Sequence, residues 1–371
     1  MDSRVRKMAQ VIINFSMAVK PGEKVLLRGM SPQAEPLVAA MYQEALKAGA
    51  EVFTYIHMSN EHSYAIEATD DLDLLAKPNP MLQMMYETCN VVVRVEAEEN
   101  LKALTDYPAE KQAARRAVNA APIAIQMRRE GKDPAFRRCT TQFPTQAYAQ
   151  QAGMSLLQYA DFVFQACKVH LDDPVAEWRK MGEFQDKLVN YLAGKKNLHV
   201  RGKNIDLHLS VDGRTFKSAA GRENFPDGEI FTGPVENSVN GWVKFTYPAF
   251  YSGNEVIGAH LVFEDGLVKQ ATAEKNEKFL NSVLDTDNGS RRLGEFAIGT
   301  NDYIQRFTGS ILFDEKIGGT VHMAVGQGYQ ETGSVNNSSV HWDMICDMRD
   351  GGEILVDGDL FYRDGQFVAV R

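Results

Sequence analysis

The sequence predicts an α/β first domain with a mainly parallel sheet, followed by a β-rich, α+β second domain. Three observations carry that expectation. The chain is 371 residues long, enough for two domains at about 150 residues each. Strand-like and helix-like segments alternate through its first half, the pattern of βαβ units. Beyond Ala193-Gly194-Lys195-Lys196, which reads as a linker, short segments of β character dominate. The division is placed at residues 1–194 and 195–371.

Taken in order, Val5, Met8, Ile12, Phe15 and Val19 recur at helical spacing and predict an amphipathic opening helix. Asn14 and Ser16 interrupt its apolar stretch, and no small-residue cleavage signal follows, so it does not read as a secretory leader. Lys20-Pro21-Gly22-Glu23 is a turn before a buried strand from Lys24 to Gly29. A helix from Ala34 to Ala48 stops at Gly49, and a second strand runs from Glu51 to His57. Asn90–Val95 is another strand, Pro108–Ala120 a helix, and Pro122–Met127 a further short strand. Asp173 is placed to cap a helix with Pro174 in its first position, running to about Leu192. In the second domain DLHLSV, VKFTYPAF, EVIGAHLVFEDGLVKQATAE and GTVHMAV read as strands, with Glu264-Asp265-Gly266 at a hairpin turn. One helix is expected to interrupt them, Asn288–Phe296, after Asp285-Thr286-Asp287.

Composition narrows the function. Hydrophobic residues make up 44% and charged residues 24% of the chain, ordinary for a globular protein and excluding disordered or collagen-like classes. A formal charge of -9 argues against a nucleic-acid partner held by a broad basic surface. No run approaches the roughly 18 apolar residues of a membrane span. Cys89, Cys139, Cys167 and Cys346 are scattered without a CxxC pair, as expected of reduced thiols in a cytoplasmic protein. There is no GxGxxG or GxxxxGK[ST], and the glycines of Lys316–Thr320 precede a strand rather than a helix, which makes a poor phosphate cradle.

The residues able to do chemistry lie in the second half. In a strand, His341 and Asp343 of Val340-His341-Trp342-Asp343-Met344 project from one face, a compact chelating pair for a divalent metal. The alternative is a histidine bonded to a neighbour and an aspartate capping a turn. His322 sits in an apolar strand, where a histidine can equally be a satisfied core residue. Glu315 follows an apolar strand, Glu229 directly precedes β-type residues, and Glu295 falls on the expected helix, where a solvated face is the plainer reading. Together these six supply enough donors for two metals with a bridging carboxylate.

Those segments carry a resemblance. VKPGEKVLLRG, PLVAAMYQEALKAGAEV and LDDPVAEW in the first domain, then NFPDGEIFTGP, SRRLGE, LFDEKIGGTVHMAVGQGY and HWD in that order, make the chain resemble the M29 family of metallo-aminopeptidases, the thermophilic aminopeptidase T type. The resemblance implies two divalent metal ions (cobalt, zinc or manganese) held by Glu229, Glu295, Glu315, His322, His341 and Asp343. It places Tyr329 near the reacting centre and implies a homodimer acting on peptides with a free N-terminus. Glu229 or Glu295 is expected to bridge the metals, with Glu229 and Tyr329 the catalytic candidates and Tyr329 a donor to the developing oxyanion. The stretch from Glu315 to His322 is longer than in some relatives. Phe231, Trp242, Phe245, Tyr247 and Phe250 are candidate specificity elements or, equally, sheet core. A second reading is a mononuclear non-haem iron ring-cleaving dioxygenase using His322, His341 and Asp343, although that chemistry has no use for Glu229, Glu295 and Glu315. A third is a binding protein with a structural metal site.

Overall fold

In the computed structural model, which describes residues 2–370, the chain forms two compact units. One comprises residues 1–175 with a returning segment at 221–226, and the other 176–220 with 227–371. The strands of the first are β1 (Lys24–Gly29), β2 (Glu51–Ile56), β3 (Val91–Glu96) and β4 (Arg137–Gln142). The second contributes β5 (Asn197–Gly202), β6 (Ile205–Ser210) and β7 (Lys217–Ala219) before β8 (Asn224–Phe225), which belongs to the first unit. Its remaining strands are β9 (Glu229–Thr232), β10 (Asn240–Lys244), β11 (Ala249–Tyr251), β12 (Asn254–Val256), β13 (His260–Glu264), β14 (Leu267–Thr272), β15 (Leu293–Gly299), β16 (Thr320–Gly326), β17 (His341–Asp347), β18 (Glu353–Val356), β19 (Asp359–Arg363) and β20 (Gln366–Phe367).

The first unit is the expected α/β layer. Its sheet runs β2-β1-β3-β4-β8 with every pair parallel. β1 and β3 are apolar throughout their centres because both faces are covered, as parallel sheets require. The opening helix, Ser3–Val11, is capped by Asp2, whose carboxylate accepts from the backbone N–H of Arg4 at 2.8 Å. The helix Glu35–Lys47 buries Leu37, Val38, Ala40, Met41 and Ala45. Pro122–Met127, expected as a strand, is instead part of a helix from Ala120 to Arg129. Pro122 and Ile125 are its buried positions, while Ile123 and Met127 are exposed. That spacing of three is helical, and a six-residue apolar run cannot be assigned by composition alone.

The second unit is an antiparallel sandwich. An eight-stranded sheet, β14-β13-β10-β6-β5-β18-β19-β20, and a five-stranded sheet, β17-β16-β15-β9-β7, share one apolar core. Val200, Leu207, Val243, Leu261 and Ile354 from the first meet Ile230, Phe296, Ile298, Val321, Met323, Val325, Trp342 and Met344 from the second. The turn between β13 and β14 has Asp265 at φ 50° and Gly266 at φ 78°, the left-handed pair of a two-residue hairpin.

Two expectations fail here. Asn288–Phe296 is not a helix: a turn leads into β15, every residue of which is buried. β9 and β16 pair with Leu293–Gly299 along both edges, a context that overrides local helix preference. The helix before it is Glu277–Leu284, with Leu280, Val283 and Leu284 in the core. The apolar residues ahead of Glu315 form a short helix, Ile311–Asp314, rather than a strand.

Candidate metal centre

The five-stranded sheet has one face in the core and one free to do chemistry. Along β16, Val321, Met323 and Val325 point into the core, so His322 and Ala324 point the other way. β17 alternates likewise: Trp342 and Met344 face the core, His341 and Asp343 the opposite side. Register then brings the donors together. Asp343 lies across from Ala324, and Ala324 across from Glu295. His322 lies across from Ala297, and Ala297 across from Phe231, two residues along β9 from Glu229. The small side chains of Ala297 and Ala324 leave room between the larger polar groups.

Glu295 reaches this face through a bulge. The pairing of β15 with β16 slips at Gly294, so that Leu293 opposes Val325 while Glu295 opposes Ala324. Without the extra residue, Leu293 and Glu295 would share a face; with it, Leu293 joins the core and Glu295 turns outward. Gly294 must be glycine, because a Cβ there would come within 2.3 Å of the Gln327 carbonyl oxygen and 2.4 Å of that of Gly326.

The structure brings all six expected donors into one cluster. His322 Nε2 lies 3.0 Å from Glu229 Oε2 and 3.8 Å from Glu295 Oε1, and His341 Nε2 lies 3.5 Å from both Glu295 Oε2 and Asp343 Oδ2. Three overlapping groups each have donor atoms within 4.8 Å of one another: Glu229, Glu295 and His322; Glu295, His341 and Asp343; and Glu315, His322 and Asp343. Glu295 is 4% exposed, so it is not on a solvated face. His341 Nδ1 lies 2.9 Å from the carbonyl oxygen of Gln327. With its proton there, Nε2 is free to coordinate, the usual arrangement of a metal-binding histidine.

Two members of the cluster were not among the sequence candidates. Lys316 is 1% exposed, with its ammonium 2.5 Å from Glu229 Oε1, hydrogen-bonded to Glu315 and 3.6 Å from Asp227 Oδ1. The available signals were a lysine directly after Glu315 and a second carboxylate two residues before Glu229. Burial alone would lower Lys316 and raise Glu229. Their mutual attraction, with His322 acting on Glu229, outweighs it, lifting Lys316 well above its ordinary value and holding Glu229 at about 2. Asp227, fully enclosed, is pushed by burial up to about 7.

The donor chemistry fits divalent cations. Five carboxylates (Asp227, Glu229, Glu295, Glu315 and Asp343) crowd around one ammonium in a largely buried space, an excess of acidic groups for which burial raises Asp227, Glu315 and Asp343. Such an excess is costly unless cations neutralise it. Glu229 Oε2, His322 Nδ1 and Asp343 Oδ1 are buried polar atoms without a hydrogen bond among the described residues. Carboxylate oxygens with imidazole nitrogens suit zinc, cobalt or manganese.

Tyr329 stands at the edge of this face. Its ring is 5.4 Å from that of Phe231 and 5.3 Å from that of His341, edge to face in each case. The residue as a whole is 43% exposed. Burial, then the charges of Glu295 and Asp343, push its phenol far above the ordinary range and keep it protonated. Of the other aromatic candidates, Phe245 is core and Trp242 lies on the outer face of the eight-stranded sheet. Tyr247 and Phe250 stack on Phe307. An open groove of about 670 Å³ lined by Trp242, His260, Val262, Lys244 and Glu274 contains none of the six donors.

A carboxylate–histidine cluster on the face of an antiparallel sheet turned away from the core has the donor chemistry of a metal-dependent enzyme. The chain matches the profile of the thermophilic metalloproteases (M29) over residues 1–367. It belongs to that family, and is thus a metal-dependent enzyme that hydrolyses peptide bonds. It is 29% identical to Aminopeptidase T of Thermus thermophilus, over 97% of this chain and 95% of that protein. The solved structure of wild-type AmpT from Thermus thermophilus has a TM-score of 0.82 at 24% identity, covering 98% of this chain and 99% of that one. A 2,5-dihydroxypyridine dioxygenase from Pseudomonas putida KT2440 shares the fold with a TM-score of 0.62 at 14% identity, covering 100% and 98%.

Proposed function

We propose that this protein is an aminopeptidase that removes the N-terminal residue of peptides at a centre of two divalent cations held by Glu229, Glu295, Glu315, His322, His341 and Asp343. The observation that carries the reading is the position of Glu295, which belongs to two donor groups at once and has one oxygen toward His322 and the other toward His341. A carboxylate so placed is suited to bridging. Cations bound there would polarise the scissile carbonyl and make water a nucleophile at neutral pH.

The chain's own residues supply the rest. Lys316 anchors Glu229 and Glu315, so these two carboxylates are aimed before any ion arrives. Glu229 has one oxygen on Lys316 and the other facing His322, which supports a holding role over that of a mobile proton carrier. Tyr329 stays protonated and can donate to the oxygen on which charge develops, a contact worth about 3 kcal/mol. Its neighbour Phe231 lines the same approach.

The dioxygenase reading needs only His322, His341 and Asp343, and shares the fold alone. Against it, Glu295 lies against both histidines and Glu229 against His322, carboxylates that a single iron(II) site would have to exclude. The test is release of nitroaniline from leucine or arginine anilides with added cobalt, zinc or manganese, before and after chelation. Metal content is measured on the same protein and on the Glu295→Gln variant. Chelatable activity with two ions per chain, falling to one or none in E295Q, is expected. Folded protein that takes up two ions yet cleaves no anilide or peptide would sink the aminopeptidase reading.

A further inference from the structure

On the outer face of the eight-stranded sheet, and sharing no residue with the cluster on the five-stranded sheet, a second donor set is built by register. β5 and β6 pair with His199 directly across from His208 and Arg201 directly across from Asp206. Val200 and Leu207 point into the core, so the two histidines and the aspartate share the outer face. Residues directly opposite have Cβ atoms about 5 Å apart, close enough for two imidazoles to serve one ion. The rings of His199 and His208 stack at 3.8 Å between centroids, 17° from parallel. Asp206 completes the set, its Oδ1 2.8 Å from His199 Nε2 and 4.0 Å from His208 Nε2. One donor atom from each of the three lies within 4.8 Å of the others.

The surroundings keep Asp206 available. Its cross-strand neighbour Arg201 is turned to the other side, giving Nε and Nη2 to Glu353 Oε2 at 2.9 and 2.6 Å. Arg363 holds the second oxygen of Glu353 at 2.7 Å. The remaining cross-strand neighbours, Leu355 beside His199, Asn240 beside His208 and Trp242 beside Asp206, carry no cationic group. We propose that His199, Asp206 and His208 form a peripheral site for one divalent transition-metal ion of the zinc or copper type. Two neutral imidazoles and one carboxylate match that class of ion. Metal–nitrogen distances near 2.0–2.1 Å and metal–oxygen distances near 2.0–2.2 Å require the stacked rings of His199 and His208 to turn out of their parallel arrangement so that both in-plane lone pairs meet the ion. Bound metal would tie β5 to β6 across the middle of the sheet, with its remaining positions open to water.

The experiment titrates untagged, full-length protein with zinc by calorimetry, and with copper while recording its electron paramagnetic resonance spectrum. Wild type is compared with His199→Ala/His208→Ala, with Asp206→Asn, and with Glu295→Gln. The double variant is expected to take up one equivalent fewer than wild type and to lose a copper signal split by two nitrogens. D206N is expected to bind that equivalent about tenfold more weakly. E295Q is expected to keep it, which separates this site from the one on the five-stranded sheet. The double variant should hydrolyse peptides at the wild-type rate. Equal stoichiometry in wild type and the double variant, both folded by circular dichroism, overturns the proposal.

Discussion

At the scale of single residues, the proposed chemistry separates side chains that would hold the cations from Tyr329, which would meet the substrate. Tyr329 feels the charges of Glu295 and Asp343 at its phenol and has its ring against those of Phe231 and His341. Replacing it with phenylalanine removes one hydrogen-bond donor and little else. The expected result is a fall in kcat of about a hundredfold or more, with metal content and melting temperature unchanged. Loss of metal in Y329F would instead make the tyrosine a structural partner of the donors. Lys316 predicts a different outcome. Lys316→Met leaves Glu229, Glu315 and Asp227 without their cation, and removing one partner of a buried pair costs about 3–5 kcal/mol. Urea melts of the chelated protein should show a loss of that size. A chelated K316M as stable as wild type would mean that water already serves these carboxylates.

At the scale of elements, what was legible in the sequence was the alternation that faces residues in or out. His341 and Asp343 could be placed on one side of a strand from their spacing of two, and β17 has them there. The parallel sheet of the first unit was equally legible, because β1 and β3 are short apolar runs between helical patterns. What could not be read was anything set by a partner strand. SRRLGEFAIG carries no local mark of β15; Leu293–Gly299 is strand because β9 and β16 flank it. The bulge at Gly294, which turns Glu295 outward, exists only in the pairing. Gly294→Ala should therefore act on both stability and function. Its methyl group meets backbone oxygens that cannot move aside, so a loss of about 1–3 kcal/mol is expected, together with reduced metal content. G294A with full metal content and activity would show that the bulge does not aim Glu295.

The turn ahead of β15 supplies a pH-dependent element. Asp287 directly precedes no helix; its Oδ2 accepts from Ser339 N at 2.8 Å and from the hydroxyls of Ser338 and Ser339. Its Oδ1 accepts from Gly289 N, Ser290 N and Ser290 Oγ. These bonds tie the start of β15 to the approach of β17. The Ser339 N–H first, then the serine hydroxyls, hold this carboxyl well below its ordinary 3.8, against the opposing effect of burial. Because the folded value is the lower one, the contribution to stability is complete above about pH 4 and is lost as pH falls below it. The melting-temperature gap between wild type and Asp287→Asn should be constant from pH 7 to 5 and shrink toward pH 3. A gap that widened on acidification would reverse the sign and remove Asp287 from this role.

At the scale of the whole molecule, the proposed centre predicts that the second unit's stability depends on bound cations. The carboxylates gathered around Lys316, from the sheet and from the segments beside it, repel one another unless cations lie among them, whereas the first unit's parallel sheet has no comparable cluster among the described residues. Ions that bind only the folded protein stabilise it by about 2.7 kcal/mol at a hundred times their dissociation constant. Chelation should therefore lower the melting temperature, and readdition of cobalt, zinc or manganese should restore it. Hydrogen exchange localises the effect: amides of β9, β15, β16 and β17 should lose protection in the metal-free protein, while those of β1, β3 and β4 should not. The eight-stranded sheet provides an internal control. It shares the core with the five-stranded sheet through Val243, Leu261 and Ile354, so its inner strands should respond weakly, and β19 and β20 at its edge least. Protection lost uniformly across both units on chelation would mean that the ions support folding as a whole rather than the face that Glu295 and its neighbours build.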